Sequence, residues 1–410
     1  MTEDASIKQN NYKSRQLGPV AMMVFISILC AFPMMATDMY LPATPVIKEQ
    51  LNTTVELVNS TLSSFFFIIS FSGLLFGPLS DRFGLKPVIL ATIVIYVLAS
   101  LACALSPNIY MLLVSRVFQA IGCGSGMAVP AAVVKDYFPA EKKEKAFAII
   151  GALTGFVPMI APIFGAKILE YTSWRGIFFF LAFLGFITLI FAFMFKETNH
   201  DLSDESIPAS MLKLGVVLRN LAFTRLVFLF SMAPFGMMAF IGISSFIFQQ
   251  TFGLSEFQYS IYFSVNAGIS VVAALAYIRI SQIIKPLIIL TASFAMSILS
   301  GILTIFFGGL HPMLFLGSIA IASAAFALQR PPSMNLLLEQ QDKNIGSATS
   351  LMNCIMGSFG SLGLVIISFS WSDRIFVLGV INLILGILST IFWVYARKRC
   401  RIPKSMMPAH

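Results

Sequence analysis

Among the 27 basic and 18 acidic residues of this 410-residue chain, Asp38 and Arg116 stand apart, because each falls inside a long apolar run. At the centre of a membrane helix such a charge costs roughly 2.5 to 3.5 kcal/mol on insertion scales, so residues of this kind mark function by default. A carboxylate in that setting takes up and releases a proton, and its proton affinity changes as a cation approaches. A guanidinium stays charged and cannot carry the proton itself. Asp38 lies four residues before Pro42 at the outer end of the first run, and Arg116 about seven residues into the fourth, so at about 1.5 Å per residue their depths are similar. A pair between them, direct or through water, is geometrically reasonable. One reading makes it an ion pair that orients two helices; the other makes Asp38 the proton carrier and Arg116 its regulator.

The elements that must position these residues are membrane-spanning helices. Hydrophobic residues form 58% of the chain and charged residues 11%, against roughly 25% charged in a soluble domain. Only a bilayer absorbs so much apolar surface, provided each crossing is a helix of about 20 residues that closes its own hydrogen bonds. Apolar runs of that length occur near 17–41, 57–79, 88–105, 109–133, 146–168, 176–195, 226–248, 257–278, 287–309, 312–329, 347–368 and 375–395. The expected fold is all-α and integral to the membrane, with twelve transmembrane helices in two six-helix bundles. Its parts are a cytoplasmic tail (1–16), an N-terminal bundle (17–195), a cytoplasmic linker (196–225), a C-terminal bundle (226–395) and a basic cytoplasmic tail (396–410).

The first run starts after Arg15 and passes thirty residues without a small-residue cleavage site, which reads as a retained helix rather than a signal peptide. With alternating crossings, 22 of the 27 basic residues fall on the side of both termini, Lys48, Lys167, Arg175 and Arg374 fall on the other, and Arg116 lies within a span. The positive-inside rule then places both termini in the cytoplasm of a bacterial inner membrane. The net charge of +9 is accounted for by topology rather than by nucleic-acid binding.

Enzyme and metal chemistry find little support. Cys30, Cys103, Cys123, Cys354 and Cys400 form no CxxC pair, and His200, His311 and His410 lie in separate loops or the tail. Gly122-Cys-Gly124-Ser-Gly126 fails the dinucleotide pattern and follows no strand, and no phosphate-binding loop or nucleophile elbow occurs. No cofactor and no metal is expected, and the energy source is a proton gradient. The pairs Gly73 and Gly77, Gly122 and Gly126, and Gly151 and Gly155 are each spaced by four, which bares one helix face for close packing. Asn52-Thr-Thr54 and Asn59-Ser-Thr61 read as capping chemistry ahead of the second run.

Between runs two and three stands Gly77-Pro-Leu-Ser-Asp81-Arg82-Phe-Gly84-Leu85-Lys86-Pro87. This turn resembles the loop between helices 2 and 3 of the major facilitator superfamily. Together with Thr37-Asp38-Met-Tyr40-Leu-Pro42, Arg116-Val-Phe-Gln119-Ala-Ile-Gly122, Ala161-Pro162-Ile-Phe-Gly165, Ser173-Trp174-Arg175 and the thinner Gly346-Ser-Ala348-Thr-Ser350, it resembles the bicyclomycin and chloramphenicol resistance branch (Bcr/CflA) of drug:proton antiporters. The resemblance implies that Gly77, Asp81, Arg82, Gly84 and Lys86 form a cytoplasmic latch, with Asp81 bonding neighbouring charges and the start of helix 11 and so stabilising the outward-open state. It ties Arg116 to proton coupling. It also implies that Pro158, Pro162 and Gly165 belong to a helix 5 pattern associated with exporters. Leu85 departs from the family, which often has a basic residue there.

In the second half Arg330 precedes Pro331-Pro332, where the tenth helix is expected to break. Its wall offers Met232, Phe235, Met237, Met238, Phe240, Tyr262, Asn266 and Asn353 to a substrate, and the first half offers Met34, Tyr40, Gln119 and Met127. Thioethers and ring faces adapt to varied lipophilic shapes. The expected activity is not enzymatic. It is proton-coupled efflux of small lipophilic or amphiphilic compounds, phenicol-type antibiotics among them, by a monomer whose partners are substrate, protons and membrane lipid but no nucleic acid. The alternatives are a dedicated exporter of one metabolite or siderophore, and a membrane sensor or enzyme without transport.

Overall fold

A computed structural model describes residues 17–199, 214–341, 345–402 and 406, and among these the chain is helical without strands. The N-terminal tail, the middle of the linker, most of the C-terminal tail and the side chain of Met127 lie outside the described residues. Ten helices are long and apolar enough to cross a membrane singly: Pro19–Gln50, Leu85–Ala104, Ala140–Tyr171, Trp174–Met194, Leu221–Thr251, Glu256–Ile283, Pro286–Phe307, Pro312–Leu338, Ile345–Ile367 and Arg374–Ala396. An eleventh crossing is Val55–Ser70 with Ser72–Phe83, bent by 42°. The twelfth is Ile109–Gly122, which resumes beyond Cys123 and Gly124 as Ser125–Tyr137. Numbered in chain order these are spans 1 to 12, with the bent pair as span 2 and the interrupted pair as span 4.

Rings and branched chains such as Phe183, Phe186, Leu275, Phe306 and Ile391 project outward and exposed, and a lipid phase is what covers such a surface. The crossings differ from the sequence expectation at two places. Span 5 starts at Ala140, so the charged run Glu141 to Lys145 is its polar first turns rather than a loop. Span 10 does not break before Pro331 and Pro332 but continues through both to Leu338. Proline removes backbone donors, yet packing against neighbouring spans holds the helix together across the gap.

Span 4 reaches the centre of its bundle through glycine. A Cβ on Gly122 would lie 2.5 Å from the Tyr96 backbone nitrogen, and one on Gly126 would lie 2.1 Å from the Leu29 carbonyl oxygen. The packing expected of the other pairs is not uniform. Gly73 approaches Ser350, but nothing stands within 4 Å of a Cβ at Gly77, Gly151 or Gly155. Those three sit in the parts of spans 2 and 5 nearest the face that bears both termini, called here the terminal face, where the two halves of the chain diverge. Thr54 does cap span 2, accepting a hydrogen bond from the Leu57 N–H at 3.3 Å. Asn59 does not: it is buried within the helix, and its amide atoms have no hydrogen-bond partner among the described residues.

Contacts between spans 1–6 and spans 7–12 run mainly along spans 2 and 11 and spans 5 and 8. At the opposite face they are polar and close. The Gln249 amide donates to the Pro42 carbonyl at 2.9 Å, the Ser260 hydroxyl donates to the Pro162 carbonyl at 3.0 Å, and Ser370 donates to the Glu56 carboxylate. Lys167 lies 4.7 Å from the centre of the Phe257 ring. The molecule is thus sealed at the opposite face and parted at the terminal face.

Candidate functional site

Arg116 is completely buried and stands among aromatic faces. Its guanidinium carbon is 4.3 Å from the Phe65 ring centre, 4.9 Å from Tyr40 and 6.0 Å from Phe178. Its Nη1 donates to the Ala36 carbonyl at 2.9 Å and to Gln119 Oε1 at 2.6 Å. Gln119 in turn donates to Ser100 at 2.9 Å, and Ser100 to the Tyr96 carbonyl at 2.7 Å. The rings, each offering a negative face, and the two oxygens replace a carboxylate as the counter-charge. Nε and Nη2 have no partner among the described residues.

The direct form of the expected pair with Asp38 is absent: no salt bridge links the two residues. Asp38 ends the first helix of span 1, Pro19–Asp38, and its Oδ1 accepts a hydrogen bond from Thr37 Oγ1 at 3.3 Å. The depths agree, as the spacing predicted, but Arg116 points into its own bundle and takes the Ala36 carbonyl, leaving Asp38 at the seam with the other half. One helical turn toward the terminal face, and on the same side of the helix, Met34 is 38% exposed in an otherwise buried stretch. Asp38 itself is 7% exposed.

The other substrate candidates divide. Tyr40 and Gln119 are fully buried and belong to the Arg116 cage, Tyr40 through its hydroxyl contact with Thr61 at 2.9 Å, so neither lines a pocket in this structure. Asn353 of span 11 is exposed. Met232, Phe235, Met238 and Tyr262 are half-buried, and their contacts are largely within the second half: Met232 sulfur accepts from Ser389 at 3.4 Å, and Met238 presses on Gly360. Asn266 is buried and donates to Ser323 at 3.0 Å. A cavity of about 30 Å³ lies inside the second half, lined by Met232, Met237, Ser323, Gln329, Asn382 and Ser389 among others.

Of the gating residues, Pro158 and Pro162 lie within the continuous span 5, and a Cβ on Gly165 would stand 2.2 Å from the Met39 carbonyl oxygen, which brings span 5 onto the end of span 1 at the sealed face. The turn between spans 2 and 3 is seen here with the terminal face parted, not in the outward-open state that the implied latch would stabilise. Asp81 and Arg82 are exposed, and Asp81 has no hydrogen bond or salt bridge among the described residues. Glu197, which the sequence reading missed, makes a separate contact at this turn. The Glu197 carboxylate accepts from the Leu85 and Lys86 N–H groups at 3.0 and 2.9 Å, at the start of span 3 where a helix favours an anion. Gly84, at φ 91°, leaves room for that carboxylate, and Lys86 Nζ donates to the Phe193 carbonyl at 3.0 Å. A separation of over a hundred residues hid this contact. The signal available was a lone acid just past the end of the sixth apolar run.

Comparison with known proteins agrees with this architecture. Residues 24–364 match the model of the Major Facilitator Superfamily. The chain is 29% identical over 382 residues to a chloramphenicol resistance protein of Pseudomonas aeruginosa, covering 88% of this chain and 89% of that one. It is 25% identical over 362 residues to a bicyclomycin resistance protein homolog of Haemophilus influenzae, with 85% and 89% covered. Among solved structures, a bacterial homolog of the human lysosomal transporter Spinster, inward-facing and unoccupied, superposes with a TM-score of 0.73 at 14% identity over 93% of this chain and 98% of that one. On a family match spanning most of its length, and with the corresponding helical fold, this chain belongs to the Major Facilitator Superfamily.

Proposed function

We propose that this transporter exports small lipophilic or amphiphilic compounds across a bacterial inner membrane in exchange for protons, with Asp38 as the proton carrier. One observation carries the reading. Asp38 is the sole carboxylate inside the predicted spans, and it lies buried with Met34 exposed one turn away on the same side of the helix. Its freedom from Arg116 leaves its protonation answerable to the traffic between the halves rather than to a fixed salt bridge.

The terminal face is cytoplasmic on this reading, since it collects 22 of the 27 basic residues. Substrate enters from that side while Asp38 is ionised, the halves rock, and a proton arriving from outside displaces the substrate. Inward movement of a proton supplies about 2.3 kcal/mol per 100 mV, with the pH gradient added. The names of the related resistance proteins support efflux of antibiotics, phenicols included.

Everted vesicles test this. Adding a phenicol should release protons from the lumen of vesicles with the wild-type protein and not from those with Asp38→Asn, while the variant remains folded by thermal unfolding. Uphill export that survives in Asp38→Asn refutes the role.

A further inference from the structure

Span 10 carries a third ionisable residue that this cycle does not use. Arg330 lies eight residues before Leu338, about 12 Å from the end of its helix. It shares a helix face with Ser323, two turns away. Ser323 is buried on that face, held by Asn266 of span 8 and bonded to the Met237 sulfur of span 7 at 3.7 Å. At Arg330 the same face is exposed. Gly317 marks the outward side of the helix, flanked by exposed Met313 and Leu314, and Arg330 follows it by 13 residues, which at about 3.6 per turn turns it to the far side. The guanidinium therefore faces the opening between the halves rather than lipid.

Among the described residues no carboxylate pairs with it. Spans 7 to 10 contain no acidic residue except Glu256, at the sealed face, and the Arg330 guanidinium makes no salt bridge or hydrogen bond among the described residues. Arg116 has aromatic rings and carbonyls as its counter-charge, whereas Arg330 has no such partner among the described residues.

We infer that Arg330 is a recognition group for the anionic head of an amphiphilic organic acid, held in the opening with its apolar part against the methionines and rings of span 7. This deepens the export reading by naming a substrate class. A guanidinium grips a carboxylate through two parallel N–H bonds, which a neutral ester of the same shape cannot match.

The test is binding to the purified full-length protein in detergent, with a dansyl-labelled medium-chain carboxylate and its methyl ester as the two probes. Wild type should bind the carboxylate about tenfold more tightly than the ester. Arg330→Gln should bring the two affinities within about twofold while ester binding stays unchanged, which also shows that the variant is folded. Arg330→Lys, which keeps the charge and loses the fork, should retain a reduced preference of about threefold. A wild type without preference, a preference that survives in Arg330→Gln, or one undiminished in Arg330→Lys overturns the inference. Binding is read without transport, so the two readings fail separately. Export of neutral compounds by a protein with no carboxylate preference sinks this one alone, and Arg330-dependent binding without export in vesicles sinks the other.

Discussion

The interiors of the two halves are built on opposite plans. Spans 1–6 enclose a full charge, Arg116, packed without room to spare among Phe65, Tyr40 and Phe178 and tied through Gln119 to Ser100. Spans 7–12 set neutral groups, Ser297, Ser323, Gln329, Asn382 and Ser389, around a cavity of about 30 Å³, space enough for about two waters. The first interior is rigid and electrically charged; the second is neutral and adaptable. On the proposed export cycle that contrast puts energy coupling in one half and accommodation of varied compounds in the other.

The sharpest way to break the contrast is Arg116→Met. A buried charge without a carboxylate is a poor stabiliser, so its apolar replacement should leave the fold as stable or raise its stability by about 1 to 3 kcal/mol, while coupled transport falls by about a hundredfold or more. Thermal unfolding alongside vesicle transport reads both. Loss of folding together with transport would make Arg116 a structural residue and erase the distinction. Next in size is Gln119→Leu, which takes one of two acceptors from Arg116 Nη1 and the donor from the Ser100 oxygen and should destabilise by about 1 to 3 kcal/mol, seen as a lower unfolding temperature. Smallest is Asn382→Leu in the other half. Asn382 has no side-chain hydrogen bond among the described residues, so filling the cavity should shift stability by no more than about 1 kcal/mol. The same change should alter which compounds compete for export without changing the number of protons moved per substrate. A changed proton count would spread coupling over both halves.

Much of this plan was legible in the amino-acid order, and the unread parts share a cause. Runs of apolar residues announce crossings because the bilayer demands length and little else, and Gly122 and Gly126 announce close packing because spacing by four is local. Asp38 and Arg116 were visible as charges in apolar surroundings. What Arg116 touches was not, since its oxygen partners are a main-chain carbonyl and a neighbour one turn away, and its rings come from spans 1, 2 and 6. Glu197 was likewise invisible, because its bonds run to bare backbone N–H groups that any sequence supplies. The continuation of span 10 through Pro331 and Pro332 shows the same limit: the local signal to stop is real, and the surrounding spans override it.

Midway between the sealed and the parted faces, Ser70 and Ser358 touch through their hydroxyls at 3.3 Å, with Gly357 set against Ser70. Short side chains here give spans 2 and 11 a bearing with little to unlock, one weak bond and no interleaved bulk. It acts as the fulcrum of a lever. Parts near it barely travel, while groups far along either arm sweep the widest arcs, so the Gln249 to Pro42 and Ser370 to Glu56 contacts must release completely when the terminal face closes. The strength of those distant bonds, rather than of anything at the bearing, then sets the balance between the two states of the machine.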